Sequence, residues 1–219
     1  MWLFEDNHLL TLDKPAGLLS QADSTGDPDV VTLAKEYIKY KYSKPGNVYI
    51  GLVHRLDRPS SGAMVLARTS KAARRLSQAF RERSVKKKYI ALVEGALTGS
   101  GVMEDYLRKE ADRAYVVHVK DQGKYASLRW NAVESNGKVT LVSIELITGR
   151  AHQIRCQFSD RGFPVLGDIR YGAHQSFNGR DQIALHCQSL RFLHPVKKTS
   201  MDVGAMLPSP WRKFRELYS

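Results

Sequence analysis

The sequence predicts an α+β fold: one domain over residues 1–219 with a mostly antiparallel, twisted sheet flanked by helices. Three observations point there. Residues 114 to 147 alternate apolar and polar positions in strand fashion, broken at Gly123 and Asn136-Gly137. Two other stretches, near residues 30–38 and 70–83, repeat their apolar residues at helical spacing. No internal repeat, low-complexity tract or linker interrupts the 219 residues, 42% of which are hydrophobic, enough for a sizeable core.

Taken in order, the short apolar stretches around Asp6-Asn7 read as a strand that ends in a turn at Lys14-Pro15-Ala16-Gly17. After a polar segment punctuated by Gly and Pro, Val30, Val31, Leu33, Ala34, Tyr37 and Ile38 predict a helix with Asp29 as its N-cap, ending before Pro45-Gly46. Val48 to Val53 and Ala63 to Ala67 predict two strands. Between them lies a short polar loop holding His54, Arg55, Asp57 and Arg58, then Pro59, two serines and Gly62. Ser70 to Arg83 follows as a basic amphipathic helix, with Ala72, Ala73, Leu76, Ala79 and Phe80 on one face. The alternating region predicts an antiparallel meander whose Asn136-Gly137 is a strong hairpin signal. Thr148-Gly149 is expected to open a helix running through Phe158, with His152, Arg155 and Ser159 on one face. Gly162 to Gly179 reads as a long surface loop, Ile183 to Leu193 as a last strand, and Trp211 to Tyr218 as a short basic helix.

Charge narrows the partners. Thirty-four Lys and Arg against twenty-two Asp and Glu give +12, a balance that favours a polyanion, nucleic acid before an anionic membrane surface. No apolar run approaches the roughly 20 residues of a membrane span, and the N-terminus lacks the features of a signal peptide, so a cytoplasmic protein is expected. Cys156 and Cys187 form no C-x-x-C pair, which leaves neither a disulfide framework nor a redox motif to read. From Arg68 to Lys88 nine basic residues face one acid, Glu82. Such a run is often only a solvated face, but Arg74, Arg75, Lys86, Lys87 and Lys88 could also line the path of a phosphate backbone.

His54-Arg55-Leu56-Asp57-Arg58-Pro59-Ser60-Ser61-Gly62 resembles the HRLD-x-x-TSG signature of the RNA pseudouridine synthases of the RluA type, bacterial enzymes of large-subunit rRNA and tRNA. Three more stretches match that family in its order. Asp13 to Leu18 resembles its first motif, Lys88 to Val93 its tyrosine motif, and Thr148 to Arg155 its TGR-x-HQ-[IL]-R motif. Ser60 stands where the family usually has Thr, keeping the hydroxyl, and Cys156-Gln157 replaces an apolar-His pair. The resemblance implies the mixed-sheet pseudouridine synthase fold. It further implies Asp57 as the catalytic carboxylate, Tyr89 as the ring packed on the target uracil, Arg155 as the partner of Asp57, and Arg55 as the residue that fills the stack left by a flipped base. Many relatives carry a small N-terminal RNA-binding module; no separate one is expected here.

The chemistry suits one carboxylate. Turning uridine into its C-glycoside requires breaking the bond from N1 to C1′, rotating the base and joining C5 to C1′. Glycosidases use a second acid to protonate the leaving group. A uracil anion spreads its charge over two carbonyls, so an ionised Asp57 alone can suffice, whether it acts at C1′, at C6 or on the C2′ proton. An adjacent arginine favours that ionised form. Arg58, Arg150 and His152 join the basic residues above as expected RNA contacts. His152 and Cys156 at i, i+4, with His186-Cys187, resemble no known zinc module, so no metal is predicted. Phosphate-binding glycine motifs are absent and no cofactor is predicted. Two functions stand at this point: a monomeric, cofactor-independent RNA uridine isomerase, or a non-catalytic basic RNA-binding or ribosome-assembly module on the same fold. The joint presence of Asp57, Tyr89 and Arg155 favours the first, since a binder has no use for an acid in an anion-binding cleft.

Overall fold

Fourteen regular elements follow one another along residues 1–179 and 182–211, the residues that a computed structural model of the chain describes. In order they are β1 (Trp2–Glu5), β2 (Leu9–Lys14), α1 (Val30–Lys41), β3 (Gly51–Leu52), β4 (Ser61–Ala67), α2 (Ser70–Arg81), β5 (Lys86–Glu94) and β6 (Ser100–Glu110). Next come β7 (Arg113–Val117), β8 (Lys124–Ser135), β9 (Val139–Leu146), α3 (Gln153–Asp160), β10 (Leu185–Leu193) and β11 (Ser200–Gly204). They group into two compact units, one of residues 1–85 with 189–206, the other of residues 86–188 with 207–211.

The first unit is built on β2 and β4. Leu9 to Leu12 and all seven residues of β4 are buried, and the two strands pair antiparallel from Leu9↔Ala67 to Lys14↔Gly62. A strand buried on both faces reads as a continuous apolar run rather than an alternating one, and SGAMVLA is such a run. On the other side of β2 lies β1. The turn between them is closed by Asp6, whose Oδ1 accepts the amides of His8 and Leu9 while Oδ2 takes His194 Nε2 and Lys197 Nζ. Although burial pushes this carboxyl up, Lys197 and the two amides hold it well below the usual carboxylate range. The Asp29 carboxylate accepts the amides of Val31 and Thr32 and starts α1, which buries Val30, Ala34 and Ile38 at four-residue intervals. Thr69 caps α2 in the same way, through the amide of Ala72, and α2 buries Ala72 and Leu76.

In the second unit β5, β9, β8, β6 and β7 lie side by side in that order, each pairing antiparallel with the next. At the turn between β8 and β9 the Asn136 side chain accepts the amides of Lys138 and Val139, and Gly137 takes φ +83°, a value that favours glycine. One core cluster gathers Leu92, Val139, Leu166, Phe177, Ala184 and Trp211. A second gathers Leu107, Ala114, Ala126, Cys156 and Tyr171 beneath α3. Burial pushes the Cys156 thiol up to about 11, which makes it an inert core group.

The α+β class is as the sequence predicts: among the described residues the named ladders within the units are antiparallel, with a single parallel bridge from Leu19 to Asp29. Local differences have physical reasons. The strand expected over 48–53 shrinks to Gly51–Leu52, because the His54 ring takes over the next bond to β4. The helix expected from Thr148 begins only at Gln153, whose side chain folds back to accept from Arg150 N and Thr148 Oγ1 and holds residues 149–152 as a turn. His152 therefore lies outside that helix, with a left-handed φ of 53°. Strands β6 and β11 were not expected, and the helix expected over Trp211 to Tyr218 lies, beyond Trp211, outside the described residues. Among the described residues no helix is long and apolar enough to cross a membrane.

Replacing Asp29 with Ala removes the acceptor for two amides at a buried helix start. It should lower the stability of the chain by about 1 kcal/mol, read as a shift in the urea midpoint at unchanged slope.

Candidate active site

In the first unit, the loop from His54 to Ser60 is pinned residue by residue. His54 Nε2 accepts the amide of Val65 at 3.0 Å while its ring stacks on Phe80 of α2, centroids 4.6 Å apart. Leu56 is buried, and both its polar backbone atoms meet Ser20: the amide donates to Oγ at 3.1 Å, and Oγ donates to the carbonyl at 2.7 Å. The Asp57 carbonyl accepts from Ser60 N and from Ser60 Oγ, so the hydroxyl kept at position 60 locks the turn. Arg58 closes the loop onto the segment after β2. Its carbonyl accepts from Gly17 N at 2.8 Å, its Nε donates to Gly17 O, and its guanidinium pairs with Asp27 at 2.8 Å. Arg55 is exposed and Asp57 half-buried.

Lys14 sits under this loop. Its side chain is fully buried, and Nζ donates to the carbonyls of Pro15, Leu18 and Arg58 at 3.0, 2.7 and 3.2 Å. Burial pushes its amine down to about 7, against the pull of the Asp57 carboxylate and with a further push from Arg58. Three carbonyl acceptors nonetheless match the three donors of an ammonium. The residue ties the end of β2, the turn at 15–18 and the Asp57 loop to one cation.

The second unit carries Tyr89, Arg155, Arg150, His152 and the three lysines. Strand alternation splits the lysines: Lys86 and Lys88 are exposed, whereas Lys87 points inward with Tyr89 and donates from Nζ to Thr148 O at 3.1 Å. Arg155 is buried, and Asp168 grips its fork, with Nε to Oδ2 at 2.6 Å and Nη2 to Oδ1 at 2.9 Å. The faces of Tyr171 carry charge as well: the guanidinium carbons of Arg155 and Arg113 each lie 4.9 Å from its ring centre. Its hydroxyl accepts the amide of Ala114 and meets His152 Nδ1 at 2.9 Å. Burial pushes this phenol up to about 12, so it holds its proton. Arg150 Nε donates to Tyr125 O.

Sequence reasoning missed Asp168 and Tyr171, which lie in the stretch read as a loop long enough to be a functional surface loop, with no residue singled out. That loop is fastened to the sheet. Leu166 N donates to Leu92 O, and Glu94 accepts the amides of His174 and Gln175, which keep its carboxyl below the usual value although burial pushes it up. Gly167 makes the path possible: its φ is +86°, and a Cβ there would lie 2.7 Å from Gln182 O. On the basic helix, Arg74 is exposed while Arg75 Nη1 donates to Pro195 O at 2.8 Å. Among the described residues no three His, Cys, Asp or Glu side chains gather as a metal site.

A family model described as RNA pseudouridylate synthase matches residues 8–160 of the chain. The ribosomal large subunit pseudouridine synthase C of Buchnera aphidicola is 32% identical over 217 residues, covering 94% of this chain and 67% of that protein. An RNA pseudouridine synthase of Bacillus subtilis is 33% identical, over 99% of this chain and 71% of the relative, and the ribosomal large subunit pseudouridine synthase D of Yersinia pestis is 32% identical, over 94% and 66%. The chain thus spans about two thirds of the length of these relatives. Among solved structures, human RNA pseudouridylate synthase domain containing 4 superposes with a TM-score of 0.79 at 23% identity, over 98% of this chain and 92% of that one, a likeness of fold.

The depressed Lys14 amine has a consequence for stability. An unfolded chain keeps that proton up to the ordinary lysine value of 10.5, whereas the folded chain releases it near 7, so between these values the unfolded state binds more protons and stability rises with pH. The penalty of the buried charge is fully present below about pH 7 and is relieved as pH climbs toward 10. Denaturant unfolding of the wild type and of Lys14→Met should show a stability difference that shifts in favour of the wild type across this window; a difference that stays flat would contradict the assignment.

Proposed function

Since the chain belongs to the RNA pseudouridylate synthase family, we propose that it isomerises uridines in RNA to pseudouridine, with Asp57 as the catalytic carboxylate. The observation that carries this is the match over residues 8–160, which contains the pinned loop of Asp57. A nucleophile or base that must act on one carbon of one nucleotide gains from a backbone fixed at residues 56, 57 and 58, because misplacement of about 1 Å can cost on the order of 100-fold in rate.

The remaining roles follow from what each side chain offers. Tyr89, buried in β5, packs its ring on the target uracil. Arg155 favours the ionised form of Asp57, and its grip by Asp168 and Tyr171 supports a fixed guanidinium. Exposed Arg55 fills the stack vacated by the extruded base, offsetting an unpairing cost of about a few kcal/mol. Arg58, Arg74, Arg75, Lys86, Lys88, Arg150 and His152 contact the flanking RNA, and Lys87, bonded to Thr148 O, adds to the field from below. Large-subunit rRNA is the favoured substrate, on the names of the Buchnera and Yersinia relatives, with tRNA the other candidate. The chain works without a cofactor, as a monomer in the cytoplasm, with residues 1–219 as one catalytic domain.

Asp57→Asn keeps the volume of the side chain and removes its charge. Single-turnover pseudouridine formation on an rRNA fragment should fall by about 100-fold or more, while RNA affinity stays equal or rises as a negative charge leaves the phosphate-facing surface. A rate within about tenfold of wild type would remove Asp57 from the chemistry.

A further inference from the structure

Within the second unit, β6, the start of β8 and the turn at 149–151 enclose a cleft of about 570 Å³, in the size range of about 300–1,000 Å³ typical of small-ligand sites. Its charged lining is of one sign. Arg108 and Lys109 come from β6, Lys124 from β8 and Arg150 from the turn, with no carboxylate among the described lining residues. Arg108 alternates with Lys109 to the other face of β6, where its Nε donates to the exposed Glu110 at 2.7 Å, so Lys109, Lys124 and Arg150 carry the charge of the cleft. Lys109 and Lys124 are exposed and have no carboxylate partner among the described residues. Arg150 is oriented by its bond to Tyr125 O. The floor at Gly149 is bare, and a Cβ there would meet the Lys87 amino group at 3.4 Å.

Lys109, Lys124 and Arg150 around one cleft repel one another, and a polyanion relieves that repulsion more fully than a single small ion does. Among the described lining residues there is no aromatic ring, so they offer nothing on which a base can stack. The Arg150 fork and two lysine point charges around a nucleotide-sized space suit the phosphodiester backbone instead. The cleft also adjoins the Arg155 cluster: its wall residue Ala114 donates its amide to the Tyr171 hydroxyl, and Tyr171 stacks on Arg155. We propose that this cleft is a second RNA site, which grips the sugar-phosphate strand flanking the target uridine without reading its sequence. The proposal rests on the RNA reading above and adds a surface distinct from α2 and the exposed lysines of β5.

The test is a double charge reversal, Lys109→Glu with Lys124→Glu, at two exposed positions outside the catalytic groups, with retention of fold checked by thermal unfolding. Affinity for a structured rRNA fragment should drop by about tenfold or more at 0.1 M salt, and the slope of log Kd against log salt should shrink by roughly two contacts. The single-turnover rate at saturating RNA should stay within about twofold, because the cleft holds strand rather than base. Unchanged affinity and slope in the variant would overturn the cleft, as would displacement of RNA from the wild type by polyglutamate as effective as displacement by single-stranded RNA of equal charge. Failure of the wild-type chain to bind RNA at all would instead overturn the reading on which the cleft depends, so the two failures separate.

Discussion

A lysine ammonium taken out of water is a liability of several kcal/mol unless acceptors surround it. Lys14 is such a group, and the architecture around Asp57 follows from satisfying it. Three carbonyls must converge, one from the residue beside it, one from Leu18 across the turn and one from Arg58 in the Asp57 loop. That convergence fixes the turn after β2 against the loop before β4, where the two strands already meet at Lys14↔Gly62. Ser20 and Ser60 then need only clamp the neighbouring carbonyls of Leu56 and Asp57 for the Asp57 loop to have one conformation.

The second unit applies the same physics to another buried cation. Arg155 is buried as a charge and receives both a bidentate carboxylate and an aromatic face, from Asp168 and Tyr171 in one loop. Removing Asp168 would leave the Arg155 charge without an anionic partner in a poorly hydrated place. His152 belongs to this set through the Tyr171 hydroxyl. Its left-handed backbone, which costs on the order of 1–2 kcal/mol, is held by the turn that Gln153 folds beneath it.

Much of this was legible in the sequence, and the misses are instructive. Asp29 and Asn136-Gly137 announce a helix start and a hairpin because each acts on amides two or three residues away. The four motifs named Asp57, Tyr89 and Arg155 in one reading. Strand β6 stayed hidden because only Met103 and Leu107 of its eleven residues are buried, too sparse a pattern to stand out, and β11 buries only Val203. Lys87 could have been separated from its neighbours: it shares the parity of Tyr89, Ala91 and Val93, all buried, so period two sends it inward. Asp168 and Tyr171 gave no comparable signal. Their roles depend on a fold that brings residues 13 and 16 positions beyond Arg155 back onto its guanidinium, and no local pattern encodes that return.

That the Asp57 loop owes its shape to the Lys14 ammonium is tested most directly by amide hydrogen exchange in Lys14→Met, a replacement of similar length that needs no acceptors. The amides of Gly17 and Ser60, which bond to the carbonyls of Arg58 and Asp57, should exchange markedly faster than in the wild type, while those of Val31 and Thr32 under the Asp29 cap keep their protection. Unchanged exchange at Gly17 and Ser60 would show that the loop holds its conformation without the buried cation.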